Sequence, residues 1–184
     1  DVYLNSRMAS AMVEGYQGAG LQNPESLAAC VKHFAGYGAP TGGREYTGAE
    51  LSEHTLRQSH LPAYASGVQS GAAMVMSAFN GLDGIPCTGN KKLLTEILRE
   101  EMGFDGVVMT DSLRERYITS QYRPAQAALN ALQAGTDVLY LPEDVGAVVD
   151  GLVSALESGR LSEERLNESV VRVLRLKLSF GIVQ

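Results

Sequence analysis

Apolar residues return along this chain in two alternating rhythms. Short continuous apolar runs, bounded by glycine, proline or charge, alternate with longer stretches in which apolar positions recur every three or four residues. That is the pattern of strands buried on both faces between amphipathic helices. Residues 6–17 carry Met8, Ala11, Met12 and Tyr16 at helical spacing and stop at Gly18-Ala19-Gly20. The first apolar run, residues 28–34, closes on Lys32-His33-Phe34, and Gly36, Gly38, Gly42 and Gly43 then open a long loop. Residues 50–67 read as a helix broken near Pro62, because an internal proline removes a hydrogen bond and clashes with the preceding turn.

The second run, residues 72–79, leads through a Gly/Pro-rich loop to Asn90. A helix over 91–102 places Leu93, Leu94, Ile97 and Leu98 on one face. The third run, Val107-Val108-Met109, follows a stop at Gly103 and a turn at Asp105-Gly106, and it delivers Asp111 at its end. Residues 112–122 read as polar and irregular. Pro124 opens a helix that Gly135 ends, and Val138 to Leu141 form a fourth run, stopped by Pro142. Two more helices follow: 144–157, through Val145, Val148, Val149, Leu152, Val153 and Leu156, and one capped by Ser162.

Four strand–helix repeats, with strand ends near Phe34, Phe79, Asp111 and Leu141, predict parallel βαβ units. The expected fold is α/β, about four parallel strands alternating with helices, as a small open sheet or as a partial (β/α)8 TIM-type barrel. A whole barrel takes about 250 residues, and this chain has 184, read as a single domain over 1–184. With 45% hydrophobic and 20% charged residues it is globular. A formal net charge of -6 argues against nucleic acid and anionic membrane surfaces as partners, and no apolar run reaches the ~20 residues of a membrane span. The first 20 residues lack the basic start and apolar core of a signal peptide, which leaves the compartment open. Cys30 and Cys87 neither demand nor exclude a disulfide.

Chemistry concentrates at Asp111, a carboxylate at the C-terminal end of a buried strand, where parallel α/β folds bind ligands. Capping of the following helix is the competing account. Lys32 and His33 close the first strand in the same way. A lysine gives fixed donors and a histidine can donate or accept, although a surface lysine and a core histidine explain the same letters.

Several segments resemble glycoside hydrolase family 3, closest to its β-glucosidase branch. They are Lys32 to Gly38, Gly42-Gly43-Arg44-Glu45-Tyr46, Leu51-Ser52-Glu53 to Leu61-Pro62, Met76 to Asn80 with Gly84-Ile85-Pro86, and Gly106 to Asp111, in the family's order. The resemblance runs from Asp1 to Gly181. It implies a (β/α)8-type domain hydrolysing terminal non-reducing β-D-glycosides with retention, through two carboxyl groups roughly 5–5.5 Å apart. Asp111 matches the nucleophile, and Lys32 and His33 match the pair that hydrogen-bonds sugar hydroxyls. Met76 and Phe79 match positions facing the site, for which core packing is an equal account.

The sequence departs from that family in several places. Ser112 stands where an aromatic residue often follows the nucleophile, and Phe79 where tyrosine is frequent. The Asp and Arg that earlier strands of the family's domain bring to the sugar are missing from this sequence. So is the acid/base, which the β-glucosidase branch takes as a Glu from a following domain and the N-acetylglucosaminidase branch as a His in the loop after Lys-His. Here that loop holds only Glu45, by family position a rim or structural residue, while His54 and His60 fall on the next helix.

Two hypotheses follow. One is a retaining β-glycosidase of which this is the nucleophile half, completed as a homo-oligomer or by another chain or domain. The other is a non-catalytic half-barrel that self-associates and at most binds carbohydrate. Association is expected because parallel strands with open apolar flanks must be covered. The Gly-rich loop at 36–43 lacks the spacing of a phosphate cradle, and no metal or organic cofactor is called for.

Overall fold

The computed structural model describes residues 1–44 and 46–183. In chain order its elements are α1 (Val2–Gln17), β1 (Cys30–Phe34), β2 (Gly48–Ala49), α2 (Glu53–Thr55), α3 (Leu61–Gln69), β3 (Met74–Ser77), β4 (Gly81–Leu82) and β5 (Ile85–Pro86). There follow β6 (Val107–Met109), α4 (Arg116–Thr119), α5 (Pro124–Ala134), α6 (Val145–Glu157) and α7 (Glu163–Ser179). Wide π-helical segments occupy Leu56–His60 and Lys92–Glu101.

The main sheet is parallel, in the order β1-β3-β6, with Cys30 opposite Met74 and Met76 opposite Met109. With Val138 bridged in parallel to Met109, four successive strands neighbour one another without reversal, as in the wall of a barrel and unlike a doubly wound sheet, whose order reverses after the third. Val75 and Val108 pair on one face and are buried with Phe34, Leu93, Leu94, Ile97 and Leu98. By the two-residue alternation of strands, Met74, Met76 and Met109 turn to the other face, where they are half-buried.

The fourth strand shrinks to one bridge, Met109 to Val138. Backbone bonds persist at that bridge, with Val138 N donating to Val108 O (3.1 Å) and Thr110 N to Val138 O (2.9 Å), and side chains flank them: Val108 N donates to Asp137 Oδ2 (2.9 Å) and Tyr140 N to Thr110 Oγ1 (2.8 Å). Leu141 then adopts φ 43 ahead of Pro142 and leaves the sheet. Nor does Pro62 break its helix. Leu56–His60 widens to i→i+5 bonding, with Leu61 N reaching Leu56 O, and α3 continues from it. A wide turn relieves the contact between a proline ring and the carbonyl four residues back.

A second small sheet, β2-β4-β5, was not expected. β4 and β5 form a hairpin turning at Asp83-Gly84, with φ 50 and 83, the positive pair that a two-residue turn requires. The stretch after Asp111 is less irregular than its letters imply: α4 forms there, with Leu113 and Ile118 buried.

Below β6, the Asp137 carboxylate has no exposed surface and is ringed by Arg99 (2.6 Å), Arg172 (3.2 Å), Arg165 (3.6 Å) and Ser169 (2.8 Å). Arg99 also donates to the carbonyls of Phe104, Gly106 and Gly135. On the outside, Leu4, Met8, Met12 and Tyr16 of α1, Val145, Val149 and Val153 of α6, and Val170, Leu174 and Leu178 of α7 are exposed.

Candidate active site

β6 is short because Asp105-Gly106 turns the chain into it and Thr110, fully buried, ends it. Asp111 follows at the C-terminal end, on the Met109 side by strand alternation. It caps no helix, since α4 begins five residues later behind Glu115. Its Oδ1 instead accepts the N–H of Ser112 at 2.6 Å, and its Oδ2 lies 3.5 Å from His33 Nε2. The structure therefore brings together two of the residues singled out in the sequence, from strands separated by β3.

His33 is held from three sides. Its backbone carbonyl accepts the Tyr64 hydroxyl at 2.5 Å, and its ring packs on Tyr37 with centroids 4.9 Å apart. Tyr64 in turn meets Phe34 edge-on at 5.1 Å, and burial pushes its hydroxyl pKa up to about 12, so it remains a donor. The peptide bonds Lys32–His33 and Phe34–Ala35 are cis. Burial lowers the pKa of His33, and the Asp111 carboxylate opposes that shift while the Lys32 charge adds to it. The net displacement is below the ordinary histidine value, so the ring is neutral at pH 7. Lys32 is exposed, and its charge also acts on Cys30.

Met76 is half-buried opposite Met109, on the face that Asp111 follows. Phe79 is half-buried between two tyrosines: Tyr37 meets it edge-on at 5.5 Å, and Tyr46 lies nearly parallel to it at 6.1 Å. Phe79 also packs with Leu113 and Ile118, so part of its ring belongs to the core. Neither tyrosine was singled out from the sequence, since both sit in a glycine-rich loop without periodicity.

The loops around the site are locked to one another. Gly48 and Gly81 pair across β2 and β4, and the Tyr117 ring seats against both; a Cβ on Gly81 would stand 2.2 Å from it. Tyr117 comes from α4, on the loop that begins at Asp111, so three strand-to-helix loops interlock.

The remaining candidates lie apart. Glu45 falls outside the described residues, His54 is exposed on α2, and His60 is half-buried at the end of its π turn. Cys30 and Cys87 are both free; burial raises the Cys87 thiol to about 12. A surface hollow of about 580 Å³, lined by Asp105, Glu168, Arg172 and Arg175, sits by the start of β6, away from Asp111. Among the described residues no cluster of three or more His, Cys, Asp or Glu is placed to hold a metal, and no helix is long and apolar enough to cross a membrane.

Comparison with known proteins gives this arrangement a family. Residues 1–176 match the glycosyl hydrolase family 3 N terminal domain. The chain is 34% identical to a periplasmic beta-glucosidase of Salmonella typhimurium over 186 residues, covering 99% of this chain and 24% of that protein. It is also 34% identical to a lysosomal beta glucosidase of Dictyostelium discoideum, with 99% and 23% covered. The crystal structure of a beta-glucosidase from Listeria innocua in complex with isofagomine superposes with a TM-score of 0.90 at 42% identity, covering 99% of this chain and 26% of that one. An exo-1,3/1,4-beta-glucanase from a Pseudoalteromonas species, as its Q683A mutant, also gives 0.90, at 32% identity and with 99% and 30% covered. The chain thus spans about a quarter of the length of these relatives. With sequence and fold matched from end to end, and the strands in barrel order, the chain belongs to glycosyl hydrolase family 3, where it corresponds to the N-terminal domain.

Proposed function

We propose that this chain carries the nucleophile half of a retaining β-glycosidase acting on terminal non-reducing β-D-glycosides, with Asp111 as nucleophile. The observation that supports it best is the carboxylate's setting: Oδ1 is fixed by the Ser112 N–H, while Oδ2 faces neutral His33. Oδ2 is then the freer oxygen. It forms a bond to the anomeric carbon as the bond to the leaving oxygen breaks, and that oxygen takes a proton from a general acid. Water next adds at the anomeric carbon, gives up a proton, and releases the Asp111 carboxylate. Lys32 and His33 hold ring hydroxyls, and Met76 and Phe79 line the site. The acid/base is not assigned within this chain. Residues 1–184 act as one α/β domain, equivalent to the C-terminal part of the family's barrel domain, and a second copy or a complementing chain or domain covers the exposed apolar face.

The test is native mass spectrometry after incubation with an activated 2-deoxy-2-fluoro β-glucoside, whose leaving group needs little protonation. A sugar-sized mass increase mapped to Asp111, and absent in Asp111→Asn, is the expected result. The second reading, a self-associating scaffold, is favoured by the outward apolar stripes of α1, α6 and α7. It predicts a homo-oligomer without adduct, and an Asp111→Asn variant altered only in stability.

A further inference from the structure

The loop after β1 brings to the site two tyrosines that the reaction above leaves without a role. The aromatic series runs outward from the nucleophile. His33 faces Asp111, Tyr37 packs on His33, Phe79 meets Tyr37 edge-on, and Tyr46 lies almost parallel to Phe79, with planes 26° apart. Of its members only Tyr46, at the outer end, is exposed. The side chains of His33 and Asp111 are 23% and 15% exposed, whereas Tyr46 is 52% exposed. The floor is therefore polar and suited to hydroxyls, and the rim offers a flat ring. Aromatic faces hold other flat or C–H-rich surfaces by dispersion and offset stacking. A glycoside whose terminal ring lies on the floor, with its anomeric carbon at Asp111, must send everything beyond the scissile oxygen toward the rim.

We propose that Tyr46, backed by Phe79 and Tyr37, is a specificity-determining ledge on the leaving-group side. It stacks against the first ring of the aglycone, an aryl group or the apolar face of a second sugar. This rests on the reading of Asp111 as nucleophile. The ledge is preorganised relative to that residue. Tyr46 stands two residues before β2, β2 pairs with β4, and Tyr117 from the Asp111 loop seats over both strands. A ring held in place before binding loses little freedom on stacking.

The experiment follows covalent labelling of wild type, Tyr46→Ala and Tyr46→Phe by two 2-deoxy-2-fluoro-β-glucosyl donors, one leaving as fluoride and one as 2,4-dinitrophenolate. Tyr46→Ala is expected to react about three- to tenfold more slowly with the dinitrophenyl donor, the fold-change of one aromatic contact. It should match wild type with the fluoride, and Tyr46→Phe should match wild type with both. Release of the adduct by added cellobiose, slowed to a similar degree in Tyr46→Ala, assigns sugar rings to the ledge as well; unchanged release restricts it to aryl groups. Equal loss on both donors, or no loss on either, overturns the ledge. A wild type labelled by neither donor overturns the glycosidase reading instead. The ledge is then judged by dissociation constants for 4-nitrophenyl and methyl β-thioglucosides: an aryl preference lost in Tyr46→Ala supports it, and no preference in wild type removes it.

Discussion

His33 ties the nucleophile's surroundings to pH. Its pKa lies below the ordinary histidine value because burial disfavours the cation more than Asp111 favours it. As pH falls, the unfolded chain is therefore protonated first. The stability contributed by neutral His33 is fully present above about pH 6.5 and is lost as pH falls from there through the lower folded value. Urea midpoints measured from pH 7.5 to 5 should fall more steeply for wild type than for His33→Gln, which keeps a polar group and removes this titration. Tyr64→Phe removes the donor to the His33 carbonyl and should cost about 0.5–1.5 kcal/mol in the same assay, since the ring still packs on Phe34. Asp111 stood out in the sequence because it closes a buried apolar run, and Lys32 and His33 through the family resemblance; the structure sets His33 beside Asp111, while Lys32 is exposed. Tyr37, Tyr46 and the Ser112 N–H were not legible there, since one pair sits in an aperiodic loop and the other group belongs to the backbone, which residue letters do not describe.

Among elements, the helices and the three main strands follow from periodicity, while the fourth strand, the proline-bearing helix and the small hairpin sheet depart from it. Val138 to Leu141 has a strand's composition. It nonetheless makes one backbone bridge to Met109, flanked by bonds to the side chains of Asp137 and Thr110, and Pro142 ends the run at once. The hairpin at Asp83-Gly84 did carry a signal, the Asp-Gly pair, hidden in a loop where glycine and proline were read only as breakers. The glycines at 48 and 81 had none, because their partner ring lies on another loop. That contact gives a clear expectation. Gly81→Ala drives a methyl into the Tyr117 ring and should destabilise the chain by ~1–3 kcal/mol in chemical denaturation, and Tyr117→Leu in the same chain should recover part of the loss.

For the whole molecule, the apolar helix positions Met8, Met12, Tyr16, Val145, Val149 and Val153 read from the sequence lie exposed on α1 and α6, and α7 exposes Val170, Leu174 and Leu178. Only part of each apolar face finds a partner within this chain; Val148 and Ala155 of α6 are buried, for example. Exposed apolar area of that extent favours association. Light scattering is expected to show a concentration-dependent oligomer, and Met8→Glu with Met12→Glu should shift it toward monomer without lowering the urea midpoint. Asp137→Ala tests the inner face of α7, which supplies Arg165, Ser169 and Arg172 to that carboxylate. It leaves Arg99, Arg165 and Arg172 facing one another without their shared carboxylate and should cost about 3–5 kcal/mol, enough to unfold much of a marginally stable domain.

Arg99 also bears on the order in which the chain assembles. Its guanidinium reaches Phe104, Gly106, Gly135 and Asp137, none more than 38 residues away in sequence. β1, by contrast, stands at the end of its sheet and, among the described residues, pairs only with β3, across β2, α2 and α3. A segment clamped on several sides opens less readily than a strand held by one neighbour, so the stretch from Lys92 to Asp137 is expected to form the early cooperative unit and to open last. In native-state hydrogen exchange the amides of Val107, Val108 and Ile97 should then exchange only through global unfolding, while those of β1, which bears His33, exchange through a smaller opening.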